Sequence, residues 1–428
     1  MGRRPGQPYR ASVGHCAAWA RCGLPPPRKS GEILNRCRVR KSSSEKSKGV
    51  VAGFEVVASM IVWMFTSIFP PYTGGAASCA DIILRQLCEK EDVTHVVLVT
   101  EYHRGALIER MANCTILRIL PRRDSLKKEE RRADLLRFAI THGVIATCLF
   151  VIAFCGRRHV VSVHGRLIYR WTGTLVKFLR LRAIADVRDL FGDGRRYAGF
   201  PVAMAASMNI ATMLRAVMGD QRVSYIPVAL ERPRIKVSDA WKRMQPVHKR
   251  GYFLFVGTLS EGKGIRELIE AFLEYEHGGG ELHLVIVGED RLSEGPLQIQ
   301  GSTRIHVLGS IPREEVYHLM ALADRLILPS KSEGLPRVCL EAMALQTPVV
   351  CPPCVMEFVK YCPQCVLPEI SPPAILDMLK VPRETLLASG FPLEEMDAER
   401  VVAKIIDLYR KLVGRGFSGG ISNHISSL

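Results

Sequence analysis

Short apolar runs of strand length alternate with segments of helical period from residue 60 to about residue 350. In the first half the predicted order is strand 60–68, helix 78–89, strand 95–100, strand 115–120, helix 129–155, strand 159–164, helix 175–181, strand 183–187 and helix 203–218. The second half predicts strand 252–256, helix 265–275, strand 282–287, strand 305–308, helix 314–323, strand 325–328, helix 336–345 and strand 347–351. Such alternation is typical of parallel sheets covered by helices. We therefore predict an α/β fold with two Rossmann-like domains facing a central cleft.

Changes in this pattern set the expected domain organisation. The chain predicts a basic flexible leader over 1–59, a first Rossmann-like domain over 60–230, a second over 231–394, a helix over 395–413 that packs back on the fold, and a disordered tail over 414–428. The leader lacks a sustained period and contains a run of three prolines. It is interpreted either as a mobile basic tail or as an upstream extension of a chain that starts at Met60.

The positive charge is concentrated in the first half of the sequence. Residues 1–59 carry 12 Lys and Arg against 3 Asp and Glu, residues 60–225 carry 24 against 14, and residues 226–428 carry 23 against 25. A basic half predicts an anionic partner, either a phospholipid surface or a phosphorylated substrate, although a solvated Arg-rich surface is an alternative. Nucleic acid is disfavoured because aromatic interleaving and a recognition motif are missing.

One long apolar segment bears on location. Residues 138–155 are long enough to weigh as a membrane span, but His142 and Gly143 interrupt them. We favour a buried or membrane-facing helix over a span. The sequence shows no secretory signal, and most of its 13 cysteines lie in apolar periodic segments. We expect a cytoplasmic location, with a peripheral position on the inner membrane face as a further expectation.

Two carboxylates follow one of the predicted strands in the second half. Glu333 lies in the loop after strand 325–328, at an edge where open α/β sheets bind ligands, and Glu341 lies eight residues further, within the next helix. Gly334 allows close backbone approach, and the N–H groups of Gly334, Leu335 and the helix start can receive an anion or sugar hydroxyls. The two carboxylates can each accept from a different pair of hydroxyls.

A second strand–turn–helix junction carries a lysine. The turn runs from Gly257 and Thr258 to Lys263, immediately before helix 265–275. Small residues and a lysine at a helix N-terminus form a diphosphate site through backbone donors, the helix dipole and one point charge. A purely structural turn is the alternative.

Two further junctions in the first half are candidates for the same cleft. Gly74 and Gly75 join the first strand to its helix, and His164 ends strand 159–164 at a carboxyl edge. A bare Gly-Gly turn and a single histidine after a strand are each as compatible with a structural role. Their positions at strand ends make them candidate site residues.

Four cysteines have the spacing of a thiolate site. Cys351, Cys354, Cys362 and Cys365 form two Cys-x-x-Cys pairs separated by seven residues that include an apparent helix. Structural zinc, disulfides and free thiols all remain open. The intervening segment is short for a zinc ribbon, so these residues are only weak metal candidates.

The second half resembles family 4 of the GT-B glycosyltransferases, whose mark is two Glu separated by seven residues in a Ser-x-x-Glu-Gly-x-x-x-x-x-x-Glu-Ala setting. The resemblance covers residues 60 to about 410 and is strongest from 252 to 350. It implies that Glu333 contacts the donor sugar, Glu341 the ribose and Lys263 the donor phosphates. Where that family often has Arg beside the glycine of the phosphate turn, this chain has Thr258.

The resemblance extends to the candidates in the first half. It implies that Gly74 and Gly75 lie beside the donor phosphates and the acceptor, and that His164 meets the donor sugar, so Glu333 and His164 are the catalytic candidates. The segment 186–189 is similar to a loop that some members place near the acceptor, although a plain ion-paired turn fits equally. The first domain would then bind acceptor and the second the nucleotide sugar.

For the reaction, the resemblance implies a retaining sugar transfer from a nucleotide diphosphate donor, with no obligatory cofactor or metal. The basic first half adds the hypothesis of a lipid-linked or phosphorylated acceptor at an anionic membrane surface. Two alternatives stay open. One is an epimerase or phosphorylase on the same fold, and the other is a non-catalytic nucleotide-sugar binding protein, which Thr258 makes plausible.

Overall fold

The computed structural model describes residues 59–71, 74–103, 106–121, 131–155, 158–189, 192, 194–235, 251–292, 297, 299 and 301–414. The predicted leader over 1–59, apart from residue 59, and the tail after residue 414 lie outside the described residues. The described residues belong to one compact unit, 57–428.

Eight strands form the first sheet. They are β1 (Met60–Thr66), β2 (Val93–Glu101), β3 (Ile108–Met111), β4 (Cys114–Leu120), β5 (His159–His164), β6 (Ala183–Val187), β7 (Val202–Ala205) and β8 (Val223–Tyr225). Their order is β3-β4-β2-β1-β5-β6-β7-β8. The pairs between these strands are parallel except β3–β4, which is an antiparallel edge pair. The order in which successive strands are added to the sheet reverses at β1, since β2 lies on one side of β1 and β5 lies on the other.

Five strands form the second sheet. They are β9 (Tyr252–Val256), β10 (His283–Val287), β11 (Ile305–Gly309), β12 (Arg325–Ile327) and β13 (Val349–Val350), in the order β11-β10-β9-β12-β13. The pairs are parallel, as in a doubly wound sheet. Here the order reverses at β9. The two reversal points are where such sheets open a crevice at the carboxyl ends of their strands.

Helices cover both sheets. They are α1 (Gly75–Cys88), α2 (Arg131–Phe154), α3 (Arg170–Phe178), α4 (Met208–Met218), α5 (Ile265–His277), α6 (Arg313–Leu322), α7 (Arg337–Ala344), α8 (Met356–Tyr361), α9 (Pro372–Lys380) and α10 (Ala398–Gly414). Short 3₁₀ turns lie at Gly165–Leu167, Arg195–Tyr197, Asp220–Arg222, Glu261–Lys263, Pro363–Cys365, Arg383–Leu386 and Leu393–Met396.

The core is apolar on both faces of the first sheet. One cluster of buried side chains joins β1, β2 and α1 to the whole second sheet, and includes Met60, Leu84 and Phe253. A second cluster covers the other face of the first sheet and includes Ile145 and Leu149 of α2. The last helix, α10, packs against α1 and β5, and Arg410 pairs with Asp92 at 2.5 Å. The domain boundaries at 230 and 394 stay a prediction.

Three sequence expectations are wrong in detail. The segment 203–218 is not one helix, because β7 occupies Val202–Ala205 and α4 begins only after Ser207, whose hydroxyl accepts from the Ile210 N–H at 3.3 Å. Each β7 residue is buried, and a fully buried strand shows no alternation that distinguishes it from a helix. The edge strand β3 was not predicted, and the helix expected at 175–181 begins already at Arg170.

Candidate functional site

The candidate residues of both halves lie at the two crevices where strand order reverses. β1 leads to Gly74, and β5 ends at His164. β9 leads to Gly257, and β12 leads to Glu333. Because parallel strands of one sheet end at the same edge, each pair shares a crevice, as the sequence positions predicted. Tyr72 and Thr73 of the glycine loop lie outside the described residues.

The second crevice brings Lys263 and Glu333 together. Their side chains form an ion pair with Nζ 2.5 Å from Oε1, and only 28% and 13% of the two side chains are exposed. Lys263 ends a 3₁₀ turn, and Gly264 follows with a φ of 65°. A Cβ at Gly264 would lie 2.0 Å from the carbonyl oxygen of Pro329, so glycine permits this approach of the two loops. The Lys331 N–H donates to the Gly262 carbonyl at 2.8 Å and fixes the same approach.

Glu341 lies deeper in the same crevice, on α7. Its Oε1 accepts from Arg313 Nη2 at 2.5 Å and from Arg337 Nη2 at 3.3 Å. Burial alone would lower the pKa of Arg313, but Glu341 and Tyr317 together outweigh it and the pKa is raised. The two predicted carboxylates are therefore both present at the crevice, and each is paired with a cation. Neither arginine was identified from the sequence, although Arg337 stands four residues before Glu341, which is the spacing of a helical ion pair.

The predicted backbone donors differ in availability. The Gly257 N–H donates to the Val287 carbonyl at 2.9 Å, within the β9–β10 region of the sheet. It is therefore already used, and Gly257 can serve a ligand only by lacking a side chain. Leu335 is buried, and Gly334 lies in the loop just before α7.

At Gly334 the backbones of the two halves pack closely against each other. A Cβ at Gly334 would lie 2.6 Å from the carbonyl oxygen of Arg188, which follows β6. On the other side, the aliphatic part of Arg337 lies against Gly75, with Cδ 3.5 Å from an ideal Cβ position there. The loop that carries Glu333 and the start of α7 thus face the carboxyl edge of the first sheet.

His164 ends β5 in register with Asp186 of β6. It is buried, and its Nδ1 atom has no hydrogen-bond partner among the described residues. Burial lowers the pKa of His164 because it disfavours the charged imidazolium; Asp186 opposes this effect and Arg188 reinforces it. A neutral imidazole at this position can accept or donate one hydrogen bond toward the crevice.

The segment 186–189 contains a buried ion pair, as one of its two interpretations anticipated. Arg188 Nε lies 2.9 Å from Asp186 Oδ1, and Arg188 Nη1 lies 3.1 Å from the Cys79 sulfur on α1. The Nη2 atom of Arg188 has no hydrogen-bond partner within the described part of the chain. This guanidinium is held rigidly at the carboxyl edge beside His164.

A second set of contacts joins the halves beyond the crevice. The buried carboxylate of Glu357 accepts from the Met208 N–H at 2.6 Å and from the Tyr225 hydroxyl at 3.3 Å. Asn209 donates to the Cys354 carbonyl at 2.6 Å and accepts from the Met356 N–H at 3.0 Å. The starts of α4 and α8 are therefore bonded to each other directly.

The structure brings together three of the four cysteines of the predicted thiolate set and places Cys354 apart from them. Cys354 precedes α8, and its thiol donates to the Ser330 carbonyl at 3.7 Å in the Glu333 loop. Cys351, Cys362 and Cys365 lie instead in the buried core, where Cys339 of α7 joins them. Among the described residues the cysteines are free thiols, and no group of three or more His, Cys, Asp or Glu could hold a metal ion. The zinc, disulfide and free-thiol alternatives for this set stay predictions.

Residues 238–357 match the family described as Glycosyl transferases group 1. TuaC of Bacillus subtilis (strain 168), named as a teichuronic acid biosynthesis glycosyltransferase, is 31% identical over 136 residues, which are 30% of this chain and 32% of TuaC. The aligned part of the chain thus spans about a third of the length of that curated relative.

Solved structures of low sequence identity share the fold over most of the chain. Sucrose-phosphate synthase from Thermosynechococcus elongatus has a TM-score of 0.62 at 15% identity. The aligned region covers 83% of this chain and 99% of the synthase chain. Anabaena HepE in complex with UDP and glucose has a TM-score of 0.59 at 16% identity. The aligned region covers 82% of this chain and 100% of the HepE chain. These similarities confirm the predicted GT-B fold class.

Proposed function

We propose that this chain, which matches the glycosyl transferases group 1 family over residues 238–357, transfers a sugar from a nucleotide diphosphate donor with retention of configuration. The observation that carries the proposal is the Lys263–Glu333 pair at the carboxyl edge of the second sheet. A cation and a carboxylate held 2.5 Å apart can bind the two ends of one ligand, a phosphate and a sugar hydroxyl.

The donor diphosphate is proposed to bind where positive charge collects. The Lys263 ammonium would leave Glu333 and contact a phosphate. The start of α7 offers further N–H groups and the positive end of its helix dipole. Glu333 then accepts from the donor sugar, and Glu341 from the ribose. These groups stabilise the negative charge that grows on the leaving diphosphate, so the chain's own cations can serve this role without an obligatory metal or cofactor.

We infer front-face displacement for the chemical step. The acceptor hydroxyl attacks the anomeric carbon from the side that the diphosphate leaves, the bond to the diphosphate oxygen breaks, and the hydroxyl proton passes to that departing oxygen. Glu333, which is paired with Lys263 in the structure, is released when Lys263 contacts the phosphate and then serves the sugar hydroxyls rather than acting as a nucleophile. His164, neutral because burial lowers its pKa, orients the donor sugar from the opposite half.

The acceptor side is proposed to face an anionic membrane. Helix α2 places Ile145, Leu149 and Ile152 in the core, yet Phe150, Val151 and Phe154 on its other side are 44%, 51% and 86% exposed. Its residues Leu135–Phe154 are long and apolar enough to cross a membrane by composition. Because one stripe of α2 packs on the first sheet, we propose that the helix lies against the membrane rather than across it.

The charge around α2 suits anionic lipid. Residues 135–185 contain eight Lys and Arg and no Asp or Glu. On α3, which packs against α2, Phe178 is 76% exposed and lies between exposed Lys177 and Arg180. Exposed apolar side chains beside cations are the combination that binds headgroups and acyl chains together. We propose a lipid-linked or phosphorylated acceptor at the inner face.

The donor proposal is tested with a panel of UDP-, GDP- and ADP-sugars and the full chain. Turnover that falls in Glu333→Gln and Lys263→Ala, but not in Lys331→Ala, supports the transferase; Lys331 is the control because it pairs with Glu267. Saturable binding without turnover, even with acceptor lipids, would favour the non-catalytic alternative. Conversion of the donor without acceptor would favour the epimerase or phosphorylase, and a lack of binding to every donor would refute the site.

The membrane proposal needs a separate test. The protein should sediment with liposomes that contain anionic lipid at low salt and be released by high salt. Replacing Phe150 and Phe154 by Ser should weaken this binding, whereas Val359→Ser, at a residue that is 50% exposed on α8, should not. If the wild-type protein ignores anionic liposomes at low salt, the peripheral membrane role is abandoned.

A further inference from the structure

Arg337 occupies a position between the two halves that sequence motifs did not reveal. It is the first residue of α7, yet only 7% of it is exposed. Its aliphatic carbons lie against Gly75, the first residue of α1. The guanidinium therefore belongs to the region where the starts of α1 and α7 face each other, and helix starts favour anions.

The hydrogen-bonding capacity of Arg337 is only partly used. Nη2 donates to Glu341, but Nε and Nη1 are buried and have no acceptor among the described residues. Arg313 also neutralises Glu341, because its Nη2 lies 2.5 Å from Glu341 Oε1. The Nη2 of Arg337 lies 3.3 Å from the same Oε1 atom. Buried guanidinium N–H groups without acceptors are costly, and a phosphate oxygen would satisfy them.

The phosphate turn of this chain supplies a single cation. Residues 257–263 contain Lys263 and no second Lys or Arg. We propose that Arg337, at the start of α7, is the second phosphate-binding cation. The inference rests on the proposed donor site and assigns Arg337 to the diphosphate, whose oxygens would accept from the Nε and Nη1 groups that have no acceptor among the described residues.

This assignment predicts selectivity between phosphate groups. The outer phosphate of a nucleoside diphosphate would contact Arg337, whereas a nucleoside monophosphate would keep its ribose contact with Glu341 and lose this one. Arg337 should therefore determine how strongly the protein prefers diphosphates over monophosphates. A residue that merely supports α7 would affect both ligands alike.

The test is calorimetric titration of the full chain with UDP, GDP and ADP and with the corresponding monophosphates. For the diphosphate that binds the wild type, Arg337→Ala should weaken affinity about tenfold or more, while monophosphate affinity stays within about threefold. Arg337→Lys should recover part of the loss, and Thr258→Arg added to Arg337→Ala should recover more. Arg400→Ala is the control, because Arg400 is an exposed arginine of α10 that pairs with Glu394.

The outcomes separate this inference from the donor proposal. If the wild type binds a diphosphate and Arg337→Ala binds it equally well, the assignment of Arg337 is refuted while the donor site stands. An equal loss for monophosphate and diphosphate would also refute it, since that result marks a structural role. If the wild type binds none of the three diphosphates, the donor site fails and the role of Arg337 fails with it.

Discussion

Gly334→Ala is the most informative single change at the contact between the halves. The added methyl group would lie 2.6 Å from the Arg188 carbonyl oxygen, and such contacts are not found below 3.0 Å. The carbonyl cannot easily yield, because the Arg188 side chain is buried and paired with Asp186. The Glu333 loop must therefore move by at least 0.4 Å, the difference between 2.6 and 3.0 Å.

Two magnitudes follow from this displacement. Forcing a methyl group into a packed contact costs about 1–3 kcal/mol of stability. The larger effect is expected on turnover, because Glu333 would be displaced relative to His164 across the crevice. Misplacement by a fraction of an ångström to 1 Å lowers catalysis by about 10–100-fold. Donor affinity should change less, since Lys263 and Glu341 stay on the same half.

The assay compares kcat, donor affinity and thermal unfolding for Gly334→Ala and a matched glycine. Gly143→Ala on α2 adds the same methyl group where no atom lies within 4 Å, so its kinetics in solution should equal those of the wild type. A Gly334→Ala protein with wild-type kcat would refute the claim that this contact sets the catalytic geometry.

Three further changes test the electrostatics of the site. Burial raises the pKa of Glu357, so the stability this group contributes is present at low pH and lost as the pH rises; Glu357→Gln should therefore raise the Tm at neutral pH, and the gain should vanish in acid. A difference in Tm between the wild type and Glu357→Gln that does not vary with pH would contradict this reasoning. Burial lowers the pKa of His164, so the wild type should lose stability as the pH falls below about 6.5, and His164→Asn should show a shallower loss by chemical denaturation. Lys263→Ala should weaken diphosphate binding by about tenfold, with less effect on the nucleoside, and an equal effect on both would exclude a phosphate contact.

The sequence predicted the second half of the fold well for a physical reason. Its strands, turns and helices are each short and punctuated by Gly or Pro, so local chemistry marks every boundary around Lys263 and Glu333. In the first half the fully buried strand Val202–Ala205 could not be distinguished from the helix that follows it. Local pattern predicts an element best where both its periodicity and its ends are visible.

The site shows a similar division between local and long-range information. The positions of Glu333, Glu341 and Lys263 at strand ends could be read from the sequence, because topology alone brings them to one edge. The partners of those residues could not, since Arg313 is 28 residues from Glu341 and meets it only through the packing of α6 on α7. The contact of Arg337 with Gly75 joins the two halves and has no local signature at all.

The donor site is tested most directly by a crystal structure of the full chain with the nucleoside diphosphate that the donor panel selects. We expect the outer phosphate within hydrogen-bonding distance of Lys263 and the start of α7, and the ribose hydroxyls at Glu341. A nucleotide bound elsewhere, with the Lys263–Glu333 pair intact and no contact to α7, would contradict the account.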